Sequence, residues 1–201
     1  MEQFRAVILP AVQSPVTTDD LGAWLRLDSD ELTSPILPYL LESATQTAMN
    51  YTNRSFLTQT VKVRWDGFPG YGTTTNGLDP IRRKDYYWIT LPYTPLISVT
   101  AARIIDDENN IEVIPSADYQ VDVEGGRINF QNFLPAYSKK EILEIEYLAG
   151  YGSENCDIPA AIKIGIMKIA AWSYEHRGDC DPASAPDAFR ELNTLRVMSV
   201  L

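Results

Sequence analysis

The hydrophobic period of this chain changes twice, and that constrains its fold more than any single motif does. Leu37, Leu41, Ala44, Ala48 and Tyr51 recur at the spacing of one helix face. From Phe56 the period becomes two, with Val61, Val63 and Trp65 alternating against Lys62, Arg64 and Asp66. After Asp157 the helical spacing returns. A helix buries one stripe and a half-buried strand buries every second residue, so the ends read as helical and the middle as β. The expected fold class is therefore α+β, with helices toward both ends and an antiparallel meander or small sandwich between them.

Local signals place the elements. Thr17 is a cap for a short helix through Trp24 and Leu25, and Asp20 favours its positive end. Ser34 and Pro35 open a longer helix. Strands are expected around 61–65, 87–91, 97–105, 111–114, 119–123, 127–130 and 142–148, with Asn109-Asn110 and Gly125-Gly126 in tight hairpins. The intervening stretch 67–85, rich in Gly and Thr, reads as a contact element. Asp157 is the expected cap of the next helix, with Pro159 in its first turn and Gly178 as its stop.

That last helix is apolar on two sides. With successive residues about 100° apart, Ile158, Ile162, Ile166, Ile169, Trp172 and His176 share one side, and Ala160, Ile164, Met167, Ala171 and Tyr174 share the other. Two apolar faces need two neighbours, so the second meets either another helix of the same chain or a neighbouring subunit. The chain closes on Arg196-Val197-Met198-Ser199-Val200-Leu201. Because termini are usually polar and frayed, this apolar peptide is expected either to dock on a partner or to tuck into its own core.

Composition narrows the function classes. With 17 Lys and Arg against 27 Asp and Glu, the net charge is -10, opposite to a surface that neutralises phosphates. No apolar run approaches the roughly 20 residues that span a bilayer, and no charged-then-apolar leader opens the sequence, so a soluble protein with its two cysteines reduced is expected. Gly150-Tyr151-Gly152 lacks the third glycine of a dinucleotide fingerprint and stands several residues before the helix, so it reads as a corner. His176 is the single histidine; a Cys180–His176 enzyme is a minor alternative, and no nucleophile elbow or zinc spacing accompanies it. A second alternative is a β-sandwich carbohydrate-binding module, with Tyr71, Tyr86, Tyr87, Trp88 and Tyr93 as the stacking platform. No catalytic, cofactor or metal residue is assigned.

One larger pattern runs through nearly the whole chain. Val16-Thr17 leads to Leu25-Arg26-Leu27-Asp28 and then to Tyr51-Thr52-Asn53-Arg54. Trp65-Asp66-Gly67-Phe68-Pro69 precedes Leu91-Pro92-Tyr93-Thr94-Pro95-Leu96-Ile97-Ser98-Val99. Glu144-Ile145-Glu146-Tyr147-Leu148-Ala149-Gly150-Tyr151-Gly152 leads to Ile158-Pro159-Ala160-Ala161-Ile162-Lys163, and Trp172 to Arg177 close the series. In order and spacing this resembles the head-tail connector, or adaptor, proteins of long-tailed phages and related gene-transfer particles. It departs where Asn109-Asn110 replaces a hairpin glycine, and at Lys139-Lys140 and the 67–85 loop.

The resemblance implies a small helical bundle core, residues 1–55 and 151–201, with an inserted antiparallel β-sheet or sandwich, residues 56–150, in a non-enzymatic virion protein of the neck, made in the host cytoplasm and assembled as a dodecameric ring. The ring would join the portal to a tail-side neck protein, a stopper or tail terminator, and let DNA slide through without specific binding. It implies that Leu195, Arg196, Val197, Met198, Ser199, Val200 and Leu201 engage the portal, and makes Ala160, Ile164, Met167, Ala171 and Tyr174 a subunit interface.

Overall fold

A computed structural model of the chain describes residues 4–9, 14–66, 88–130, 142–176 and 189–197. The fold is α+β. It divides into two compact units, Met1–Pro10 with Gln59–Ala149 and Ala11–Thr58 with Gly150–Leu201.

The second unit holds the helices α1 (Thr18–Leu25), α2 (Ser29–Leu32), α3 (Ile36–Thr52), α4 (Ala160–Glu175) and α5 (Arg190–Asn193). Thr17 and Asp20 form the expected reciprocal cap: the Asp20 amide donates to the Thr17 hydroxyl at 3.1 Å and the Thr17 amide donates to the Asp20 carboxylate at 3.1 Å. On α3, Leu37, Leu41, Ala44 and Ala48 are buried, as their spacing requires. Its start differs from expectation: Pro35 stands at the cap position without a side-chain cap, and Ser34 contributes its carbonyl, to Leu37, instead of its hydroxyl. α4 packs against α1, α3 and α5.

Asp157 does not cap α4. It closes a separate 3-10 turn, Asn155–Asp157, by accepting from the Glu154 amide at 3.1 Å, and α4 begins only after Pro159. Proline can open the helix uncapped because a first-turn N–H has no helical partner to lose. Gly178, the expected stop, lies outside the described residues; α4 ends at Glu175.

Gly150-Tyr151-Gly152 is a corner, and it is tied down. The Tyr151 amide donates to Phe56 at 3.0 Å and the Thr58 amide to Gly152 at 2.8 Å, so 56–58 and 150–152 pair as two short parallel segments. Gly150 sits at φ 141°, where a Cβ would stand 2.5 Å from the Leu57 carbonyl. Only glycine satisfies both the angle and the approach.

Among its described residues the first unit holds eight strands: β1 (Phe4–Leu9), β2 (Gln59–Asp66), β3 (Trp88–Thr90), β4 (Leu96–Ile105), β5 (Ile111–Ile114), β6 (Tyr119–Asp122), β7 (Arg127–Phe130) and β8 (Ile142–Ala149). They form two antiparallel sheets, β1-β2-β8-β4-β5 and β3-β7-β6. Both sheets feed one core, in which Val61, Val63, Leu143, Ile145 and Tyr147 from the larger meet Ile89, Ile128 and Phe130 from the smaller. The Tyr147 hydroxyl, buried there, donates to the Pro92 carbonyl. The expected hairpin tips are at Asn109 (φ 64°) and Gly126 (φ 62°). Sequence reading assigned no element to β1: the run Phe4-Arg5-Ala6-Val7-Ile8-Leu9 has no clean alternation, and only pairing with β2 makes it a strand.

Candidate functional site

Two surfaces of the helical unit carry the residues singled out in the sequence. The first is α4. Ile162 and Ile166 are fully buried, as is Ala170, and α5 closes over Gly165, where a Cβ would meet Leu192 at 2.7 Å. Lys168 fixes the same contact through Glu191, 2.7 Å away. The opposite stripe is covered less well: Ala160 is exposed, Ile164, Met167 and Tyr174 are half-buried, and Ala171 is buried. The two-faced pattern therefore resolves into one sealed side and one side of small and apolar residues that the described unit leaves half-open.

The second surface is the end of the chain. Residues 195–197 lie against the C-terminal end of α3, which stops in a left-handed turn at Asn53, φ 54°. Thr52, in the last turn of α3, has a carbonyl with no helical partner, and it accepts from the Val197 amide at 2.9 Å. Arg54 Nε donates to the Leu195 carbonyl at 2.5 Å, and the Arg196 guanidinium lies 5.1 Å from the centre of the Tyr51 ring. Tyr51 also donates its hydroxyl to Asn193 Oδ1 and packs 4.5 Å from the Phe189 ring. Met198, Ser199, Val200 and Leu201 lie outside the described residues. In the sequence Tyr51 was read as a core residue and, with Arg54, as part of the resemblance; that they meet the end of the chain carried no signal, since the partners stand some 140 positions apart.

The β unit carries a charge cluster on the outer face of its larger sheet. Glu144, its side chain only 4% exposed, receives Arg64 at 2.6 Å and Arg103 at 2.8 Å, and Arg103 also reaches Glu146 at 2.8 Å. Lys62 stands 3.6 Å from Glu146. Burial alone would raise the Glu144 carboxyl, but the hydrogen bonds from Arg64 and Arg103, with the charges of Lys62 and Arg64, outweigh it and hold it below the usual value of 4.5. Glu146 is lowered too, chiefly by its hydrogen bond from Arg103. Carboxyls depressed in the folded state stabilise it above their unfolded value, and that contribution disappears as pH falls through the folded one. The melting temperature is therefore expected to drop as the solution is acidified below about pH 4.5, and Glu144→Gln, which cannot titrate, is expected to flatten that part of the profile. An unchanged acid limb in the variant would show that the cluster does not set it.

Nothing described assembles a reactive centre. His176 stacks on Trp172 at 4.8 Å, with Nδ1 3.0 Å from the Trp172 carbonyl; Cys180 lies outside the described residues. Cys156 is exposed, and its hydrogen bond to Glu154, with slight burial and the charges of Asp157 and Glu154, pushes its thiol up, away from a reactive thiolate. Among the described residues no group of three or more His, Cys, Asp and Glu could hold a metal. Of the aromatic platform, Tyr71, Tyr86 and Tyr87 lie outside the described residues. Trp88 is overlaid by Arg127 at 4.8 Å, and Tyr93 packs against the β core. Among the described residues no helix is long and apolar enough to cross a membrane.

The fold itself has solved counterparts. It is similar to a chain in the neck of an empty gene transfer agent (GTA) particle computed with C6 symmetry, with a TM-score of 0.73 and 20% identity, over 98% of this chain and 97% of that one. A chain in the virion of a native GTA particle matches with a TM-score of 0.72 and 19% identity over 98% and 97%. A chain in the neck of a native GTA particle computed with C12 symmetry matches at 0.65 and 20% over 97% of each. No family model and no curated protein matches the sequence. The α+β fold of this chain is thus one found in chains of particle necks.

Proposed function

We propose that this chain is a structural protein of a virion neck, one subunit of a ring that joins the portal of the head to the tail or next neck protein and lets DNA pass. The observation that carries this reading is the fold shared along nearly the full length of both chains with proteins of GTA necks. The C6 and C12 symmetries of those necks support a ring, and a dodecamer fits both. A ring needs each copy to offer a neighbour an unfilled surface, and the half-open stripe of Ala160, Ile164, Met167, Ala171 and Tyr174 supplies one. The net charge of -10 suits a passage that does not grip DNA. The role is mechanical, with no turnover. The segment from Leu195 to Leu201 engages the portal; a stopper or tail terminator sits on the tail side.

The test is to mix the purified chain with portal rings of the same particle and weigh the products by native mass spectrometry. Wild type is expected to enter the rings. A chain lacking residues 198–201 is expected to keep its melting temperature and lose attachment, because the tie from Val197 to Thr52 remains. Wild type that ignores portal rings would sink the proposal.

A further inference from the structure

We propose that Arg54 is a positioning residue for the C-terminal peptide: together with Tyr51 and Thr52 it fixes the point from which the last residues leave the helical unit toward their partner. The inference rests on the portal reading above and adds the device that orients the contact.

The geometry is more elaborate than anchoring α5 requires. Leu192, fully buried against Gly165, and the Lys168–Glu191 pair already hold that helix. A chain leaving such an anchor would fray within a residue or two. Here three consecutive residues are each held differently: Leu195 by its carbonyl on Arg54, Arg196 by its guanidinium on Tyr51, and Val197 by its amide on Thr52. The Tyr51 hydroxyl on Asn193 ties the ring that carries Arg196 to the helix before it. The supports converge because the left-handed turn at Asn53 ends α3 and turns the chain so that Arg54 lies beside the carbonyl end of the helix.

Every residue of a peptide that is still free before binding must be ordered on binding, and that loss weakens the complex. With residues 195–197 held in advance, none of these three has to be ordered when the partner binds. Removing the Arg54 contact releases the base and returns that loss to the binding step.

The experiment compares full-length wild type, Arg54→Ala and the 198–201 deletion in titrations against portal rings, with amide hydrogen exchange at Val197 followed in the free proteins. Arg54→Ala is expected to speed Val197 exchange and weaken portal affinity about tenfold, while far-ultraviolet dichroism stays that of wild type. Should Arg54→Ala not fold, Arg54→Gln, which keeps a donor of similar reach, carries the comparison and is expected to fall between the two. Unchanged Val197 exchange, or faster exchange with equal or tighter portal binding, overturns the positioning role while leaving the portal reading intact. Wild type that fails to bind portal, or a deletion that binds as well as wild type, overturns the portal reading and the positioning role with it.

Discussion

Met167→Glu is expected to give a folded protein that forms no rings. Met167 lies mid-helix on the half-open stripe of α4, so in a single copy a glutamate there can keep its carboxylate in water. Glutamate is also a good helix former, and α4 should not suffer from it locally. Between two copies the same carboxylate would be desolvated without a partner, a penalty of several kcal/mol, and in a closed ring it recurs at each subunit junction. Ile164→Glu, one turn away, is expected to act alike. Analytical ultracentrifugation with and without portal rings, beside a thermal melt, reads both parts. Rings of wild-type mass from Met167→Glu would show that this stripe faces solvent in the assembly and would move the interface elsewhere.

Gly150→Val is expected to unfold the helical unit outright or to destabilise it by at least about 3 kcal/mol. At φ 141° a β-branched residue is strained before any neighbour is considered, and its Cβ would stand 2.5 Å from the Leu57 carbonyl and 2.6 Å from the Thr58 amide nitrogen. Those are backbone atoms, and the Tyr151–Phe56 and Thr58–Gly152 hydrogen bonds hold them in place. Gly125 makes the control. The nearest atoms to a Cβ there belong to the side chains of Asp122 and Arg127 and not to backbone, so Gly125→Ala should lose less, chiefly the Asp122–Arg127 contact on the protein's surface. Urea titrations of the two variants compare them directly. A Gly150→Val protein as stable as wild type would mean that the corner can open without loss.

The parts of the fold that were legible share a cause. Alternation in Val61, Val63 and Trp65 follows from which side chains a half-buried strand must hide, and the capping pair at Thr17 and Asp20 satisfies its backbone partners within four residues. The misses share another. β1 has no alternation to betray it and becomes a strand only beside β2. Asp157 had the residue type of a cap but is used by its own turn. The charge cluster joins Lys62, Arg64, Arg103, Glu144 and Glu146 from three strands, and register, not spacing, brings them together.

The two surfaces of the helical unit divide in the same way. That α4 has two apolar sides and that the chain closes on an apolar peptide can be read without coordinates, because both are properties of consecutive residues. Which side of α4 is sealed was decided by α1, α3 and α5 packing on it, and where residues 195–197 lie was decided by Arg54, Tyr51 and Thr52 meeting residues from the far end of the chain. Burial patterns are written locally because each side chain carries its own hydrophobicity, whereas contacts between distant segments exist only once the whole chain has packed.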